Sequence, residues 1–465
     1  IDLDLTAYAA GIRTIDLSSG TAATGNIIKV DEFTTAGSAT GALTLTGSAT
    51  GITTITGGDG ADTITGGSAV DVIVGGSGND VFRYIADADL FTAGNALVDD
   101  ITGGANTDSI AINNHEKAAF NIVALDSWAA RNATLEAIIT VGATDQVVSI
   151  IAHDDMHNAG ITTIDLSNDT DAAGANVINV SNETTGAFIL TGSSGVDTIT
   201  GGAGADVIAG GDGNDSFIYL LTADLFTSQA IVDTSIAGND GAGDQLTVGT
   251  SGTAFAIADN DEWTGITTVE KIVAATNTAA VTIDLDLTAY AAGIRTIDLS
   301  AGTAATGNII KVDEFTTAGS ATDALTLTGS AAGVTTITGG DGVDTITGGS
   351  AADVITGGAG ADVIDGGDGN DTFIYVETAD LVAANALVDS LTGGSGTEDA
   401  IAIDNNGSAT FTLTSTDLIE ARMVGIEKII AAGASDHIIS ITASDGLFED
   451  GVTIIDLSAD TDATG

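Results

Sequence analysis

Aspartate recurs among glycines at a fixed spacing in this chain, and such an arrangement is chemistry for a hard cation. Residues 339–374 read GGDGVDTIT, GGSAADVIT, GGAGADVID and GGDGNDTFI, each unit with Asp sixth and an apolar residue eighth. Shorter runs of the same kind occupy residues 57–83 and 192–218. The glycines let the chain turn through positive φ, so each six-residue turn points carbonyl oxygens inward while its Asp adds a carboxylate. Calcium, with six to eight oxygen ligands at about 2.3–2.6 Å, suits such a cage. After the turn, Thr345, Ile346 and Thr347 alternate outward, inward, outward, which is the period of a short strand with one buried side chain.

A turn and a strand take nine residues, so two units make a coil that returns to the same face 18 residues on. Stacked coils then let each carboxylate share its ion with the Asp one coil later. This predicts Asp62 with Asp80, Asp197 with Asp215, Asp344 with Asp362, and Asp353 with Asp371. It also predicts Asp71 with Asp89, Asp206 with Asp224, and Asp362 with Asp380. The last three partners lie in glycine-free segments, YIADADLFT, YLLTADLFT and YVETADLVA, read as the closing strand of each block. A looser set of candidate ligands comprises Asp59, Asp212, Asp341 and Asp368 within the turns. It extends to a second acidic turn after each block, with Asp108, Asp244, and Glu398 or Asp399, preceded by Asp99, Asp233 and Asp389. For these second turns a solvated loop is the plain alternative.

The nonapeptides resemble the repeats-in-toxin (RTX) family, the haemolysin-type calcium-binding β-roll, whose pattern is G-G-x-G-x-D-x-U-x. That resemblance implies a bacterial protein exported by a type I system and folded by calcium after export. Three positions depart from the pattern: Ala69 and Ala351 stand at the third glycine, and Ser193 at a second. An Ala forced toward the left-handed region costs roughly 1–2 kcal/mol, so weaker or reshaped turns are expected at Asp71 and Asp353.

Composition sets the wider limits. Against 10 Lys and Arg stand 65 Asp and Glu, a formal net charge of -55 over 465 residues. Such a field repels nucleic acid and anionic membrane and opposes compaction of the chain itself. Yet 43% of residues are hydrophobic and mean hydropathy is positive, which argues against disorder. Bound divalent cations reconcile the two, and the blocks are expected to be loose without them. The absence of Cys excludes a disulfide framework and thiol catalysis, and the absence of Pro suits an uninterrupted β ladder. Nothing approaches the 18 or more apolar residues of a membrane span. Millimolar calcium is extracellular, so the metal reading places the protein outside the cell.

Internal repetition governs the organisation. Residues 1–70 and 283–351 are nearly the same segment, and TIDLS recurs at Thr14, Thr163 and Thr296, with TIIDLS at Thr453. The reading is an elongated all-β parallel solenoid of modules 1–149, 150–282 and 283–438, with a fourth begun at 439–465. Their calcium blocks are 57–92, 192–227 and 339–383. Between the blocks, NIIKV, VINV, FTLT and HIISIT read as strands, and only Asp126 to Asn132 and Ser415 to Arg422 suggest helix. Coils of about 18 to 20 residues at a spacing of about 4.8 Å extend on the order of 100 Å. The ends fall within repeats, as if cut from something longer.

Other constellations give way to plainer readings. His153 and His157 in HDDMH have the spacing of a transition-metal pair, but His157 aligns with Tyr8, Tyr290 and Phe448, a ring position in the repeat. No nucleophile elbow of the G-x-S-x-G kind is present, His115 and His437 have no catalytic partners, and the glycine turns are followed by Asp and a strand rather than Lys and a helix. The Thr rows at residues 44–46, 54–56 and 63–65 suggest an ice-binding ladder, which Val72 and Val74 break. The expected function is mechanical: a non-enzymatic, secreted, calcium-stabilised building block of a bacterial surface layer or extracellular filament. Its partners are copies of itself, with cell-surface polysaccharide engaged through regions outside this chain. The extender of a large adhesin and the calcium-binding tail of a secreted enzyme are the alternatives.

Overall fold

A computed structural model of the protein describes the chain except residues 4–9, 21, 31–40, 94, 114–118, 124–127, 129–131, 143–146, 153–154, 185, 251, 277–278, 314–323, 385, 405–409, 415–421, 433–437, 443–446, 448–450 and 461–465. The chain forms two compact units: Ile1–Ile218 with Val232–Asp244, and Tyr219–Ile231 with Gln245–Gly465. Each is a parallel β-solenoid: through the nonapeptide coils successive strands go alternately to two sheets, and in the coils after the inserted helices they go to three sheets in turn.

In the first unit, Thr53–Thr56, Val72–Ser77 and Asp100–Ala105 pair in parallel on one face. Thr63–Thr65, Val81–Tyr84 and Ser109–Ile112 pair on the other. Because each strand turns one side chain inward, the register stacks like upon like: Ile55 on Ile73 on Ile101, and Ile64 on Phe82 on Ile110, all buried. The flanking residues face out, so Val72 remains 41% exposed. The second unit repeats this with Ile337, Ile355, Phe373 and Ile401 in one column and Leu327, Ile346, Ile364 and Leu391 in the other. Full burial of each such side chain stabilises by about 1.5–3 kcal/mol, so a one-dimensional core of aliphatic columns replaces the aromatic centre of a globule. The duplicated segments build matching strands, Asn26–Lys29 and Asn308–Lys311, each paired to a TTIT strand. Among the described residues, no helix is long and apolar enough to cross a membrane.

The segments expected to close each block as strands do so only in part. Val81–Tyr84, Ser216–Tyr219 and Thr372–Tyr375 are strands through their Tyr, but the chain then leaves the sheet. Single helical turns follow: α1 (Asp87–Leu90), α2 (Thr222–Leu225) and, beyond the longer α3 (Leu287–Ala292), α4 (Thr378–Leu381). Ala and Leu are good helix formers and Asp is disfavoured in strands, so a helical turn forms here, and it buries Leu90, Leu225 and Leu381. After the helix the chain doubles back in a short antiparallel hairpin, as in Phe226–Thr227 with Ala230–Ile231 and Val382–Ala383 with Ala386–Leu387. A tryptophan packs edge-on against the excursion, Trp128 on Phe91 at 5.1 Å and Trp263 on Phe226 at 5.5 Å.

These excursions also correct the coil length. Equivalent positions are 18 residues apart inside the nonapeptides and 27 to 29 apart across an excursion. The two helices suggested at Asp126 to Asn132 and Ser415 to Arg422 fall almost wholly outside the described residues.

Candidate metal centres

The sixth-position Asp of each turn points into the stack, where the next turn lies directly beneath it. Its Oδ1 accepts a backbone N–H from the coil before. Asp62 donates its amide to Asp80 and Asp197 to Asp215, each at 2.8 Å; Asp344 donates to Asp362 at 2.8 Å and Asp353 to Asp371 at 2.7 Å. The four pairs read from the 18-residue spacing are therefore adjacent rungs of a ladder. Carboxylates accepting amide N–H groups are charge-assisted and among the stronger hydrogen bonds.

The other three pairs need correction. Asp71 donates to Asp99 at 2.8 Å, Asp206 to Asp233 at 3.0 Å and Asp362 to Asp389 at 2.9 Å, so the ladder passes over the excursion and resumes after it. Asp89 and Asp380 sit instead on α1 and α4 and line clefts of about 280 Å³. In the second cleft Asp380 is accompanied by Asp313 and Asp341 and by glycines of the turns at 339–340 and 357–358. Asp224 accepts the N–H of Leu221 at 3.1 Å at the start of its own helix. The second acidic turns are rungs too: Asp80 donates to Asp108, Asp215 to Asp244 and Asp371 to Asp399, all at 2.7 Å. Of the remaining candidates, Asp212 and Asp368 are exposed, and Asp59 and Asp341 half-buried.

Two of the rungs beyond the excursion carry a donor of their own. Tyr84 Oη–H donates to Asp99 Oδ2 at 2.8 Å, and Tyr375 Oη–H to Asp389 Oδ2 at 2.7 Å. Replacing Tyr375 with Phe strands that buried oxygen and is expected to lower stability by about 1–3 kcal/mol; thermal unfolding in saturating calcium measures it, and an unchanged midpoint would remove the role assigned to the hydroxyl.

Oδ2 of Asp62, Asp197, Asp206 and Asp344 accepts the amide of the second residue of its own turn, Gly58, Ser193, Gly202 and Gly340, but on other rungs the second oxygen is left over. Oδ2 of Asp71, Asp80, Asp215, Asp353, Asp362 and Asp371 is buried with no hydrogen-bond partner. A buried ionised oxygen in that condition is costly unless something positive meets it. Burial, the largest cause throughout, pushes the carboxyl of Asp71, Asp197, Asp353 and Asp389 up to about 6, and that of Asp80, Asp99, Asp215, Asp362 and Asp371 up to about 7. Neighbouring carboxylates raise Asp80, Asp215, Asp362 and Asp371 further.

The first glycine of each turn marks the same spot from the backbone side. A Cβ built on Gly57 meets the carbonyl oxygen of Gly75 at 2.2 Å and Asp62 Oδ2 at 2.7 Å; one on Gly339 meets the Gly357 carbonyl at 2.1 Å and Asp344 Oδ2 at 3.0 Å. A carboxylate oxygen and a carbonyl oxygen from the next coil thus converge where only glycine leaves room. That donor set fits a hard, oxygen-seeking cation. Among the described residues no three His, Cys, Asp or Glu side chains stand where they could hold a metal ion together, so a cation in these turns would take its remaining ligands from backbone carbonyls. The turns at Ala69 and Ala351 are spared the anticipated strain, since neither residue has positive φ.

The ladder has members that the nonapeptide pattern does not reveal. Val148 donates to Asn176 Oδ1 at 2.7 Å, His157 to Glu183 at 3.1 Å, Asp108 to Glu136 at 2.7 Å and Asp399 to Glu427 at 2.9 Å. For Glu136, Asn176 and Glu427 the signal is an acid or amide two residues ahead of a buried Ile, as in LEAII and IEKII; Glu183 has no such signal. His157 meets Phe188 edge-on at 5.5 Å, a packing position as expected, whereas His153, His115 and His437 lie outside the described residues.

The fold and its turns define a class of protein, a parallel β-solenoid with cation-binding aspartate turns. A family model, the RTX calcium-binding nonapeptide repeat in four copies, matches residues 49–82, 189–219 and 338–373. The chain therefore carries RTX repeats, which bind calcium and are typical of secreted bacterial proteins. No curated protein and no solved structure matches it.

Proposed function

We propose that this chain is a mechanical element of a secreted bacterial protein, made rigid by calcium after export and assembling with copies of itself into a surface layer or extracellular filament. The observation that carries this reading is the duplication. Residues 1–70 and 283–351 repeat almost verbatim and build the same strands at the same register, and a chain that grows by adding equal units is an array. Stacked strands end in unpaired backbone groups able to accept another chain, and calcium supplies the positive charge that 10 basic residues cannot. No enzymatic role is assigned. Electron microscopy of the purified protein with calcium and with chelator tests the proposal. Ordered sheets or filaments that vanish on chelation support it; separate particles in calcium would sink it and favour the extender of an adhesin.

A further inference from the structure

We infer that the acidic turns after the inserted helices, residues 103–108 in the first unit and 393–399 in the second, each hold a calcium ion of their own. Both lie outside the segments matched by the family model. The inference rests on the reading that the nonapeptide turns bind calcium, and it extends the ion column across the excursion.

Three observations converge. Asp108 and Asp399 are fully buried, and each takes the ladder position, accepting the amide of Asp80 or Asp371 at 2.7 Å. Oδ2 of each has no hydrogen-bond partner, as is also true of Asp80 and Asp371 beside them. The first glycine of each turn then faces the same pair of oxygens as in a nonapeptide. A Cβ on Gly103 meets the Thr134 carbonyl at 2.0 Å and Asp108 Oδ2 at 2.4 Å; one on Gly393 meets the Gly425 carbonyl at 1.9 Å and Asp399 Oδ2 at 2.7 Å. For comparison, Gly75 is flanked by Asp80 Oδ2 at 2.3 Å and the Gly103 carbonyl at 2.6 Å, and Gly366 by Asp371 Oδ2 at 2.3 Å and the Gly393 carbonyl at 2.7 Å.

The two turns reach this arrangement with different sequences, GGANTD and GGSGTED. What they share is not the motif but its oxygens. Glu136 and Glu427 accept the amides of Asp108 and Asp399 and add a further carboxylate to each column. Lys428, the basic side chain next to Glu427 in the sequence, is engaged with Glu398 at 3.1 Å. A divalent cation is thus the counter-charge that suits the site, and it would clamp the coil beyond the helix onto the block before it.

The test is the double variant Asp108→Asn, Asp399→Asn in the full chain. Asn keeps Oδ1 for the amide, and this ladder already uses Asn at Asn176 and Asn308, which accept from Val148 and Val281. Titration calorimetry with calcium alone is expected to show fewer ions per chain than in the parent, with an unchanged circular dichroism spectrum in saturating calcium. A stoichiometry equal to the parent's overturns the inference. A parent that binds no calcium overturns the underlying reading instead. Anomalous scattering from calcium-grown crystals of the parent decides the matter without any variant: a peak beside Oδ2 of Asp108 and Asp399 supports the sites, and none at either removes them.

Discussion

Chelating calcium at about pH 7.5 is expected to abolish most of the β signal in circular dichroism, and acidifying the chelated protein to about pH 5 to restore part of it. The sign follows from the buried carboxyls. Their folded pKa values, about 6 for Asp71, Asp197, Asp353 and Asp389 and about 7 for Asp80, Asp99, Asp215, Asp362 and Asp371, lie above the ordinary 3.8. Without cation, the folded chain therefore holds more protons than the unfolded one between those values. The stability they contribute is fully present below pH 3.8 and is lost as pH rises through about 6 to 7. Calcium binds the ionised form, so the stabilisation it adds is greatest at neutral pH and shrinks on acidification. Unfolding midpoints with calcium and with EDTA, followed across this range, measure both trends. A calcium-free protein as folded at neutral pH as at mildly acidic pH would refute the account of the columns.

The second large effect is steric. Gly358 has φ of +98°, and a Cβ there lies 2.0 Å from the carbonyl oxygen of Gly340 in the preceding coil. Neither side of that contact is a flexible side-chain end; both are backbone, and separating them opens the register on either side. Gly358→Ala is expected to cost on the order of 3 kcal/mol or more, and saturating calcium should not rescue it because the clash precedes ion binding. Gly302→Ala makes a fair control. Its φ is not positive, and its Cβ meets only Leu299 O at 3.1 Å and Ser330 Oγ at 4.0 Å, so a loss below about 1 kcal/mol is expected. Denaturant unfolding of both variants in calcium compares them; equal midpoints would mean the coils are not held at the stacking distance described.

The parts that repeat by nine were open to reading from the residues alone. Gly spacing, an Asp at each turn and one inward Ile per strand predicted the two faces, the core columns and the four 18-residue pairs, because each depends on local periodicity. The excursions were not readable in that way. YVETADLVA has the aromatic and β-branched residues of a strand at one end and a helical turn at the other, and nothing local states that the sheet resumes at Ser390 rather than within it. Assigning Asp89, Asp224 and Asp380 to the ladder followed from counting onward by 18; the true successors, Asp99, Asp233 and Asp389, are set by where an excursion returns, a property of the stack. Glu136, Asn176 and Glu427 are not marked by the nonapeptide pattern, because they serve the ladder outside any G-G-x-G-x-D turn.

The excursions carry one more implication. A rung reaches its neighbour whether that neighbour lies 18 or 29 positions along the chain, so register is strict while contour length is free. Material can be spliced into a coil at the helix-bearing loops without disturbing the rows of side chains within. A sequence of this design is able to vary its outer surface, and whatever meets that surface, one loop at a time, while its interior stays constant.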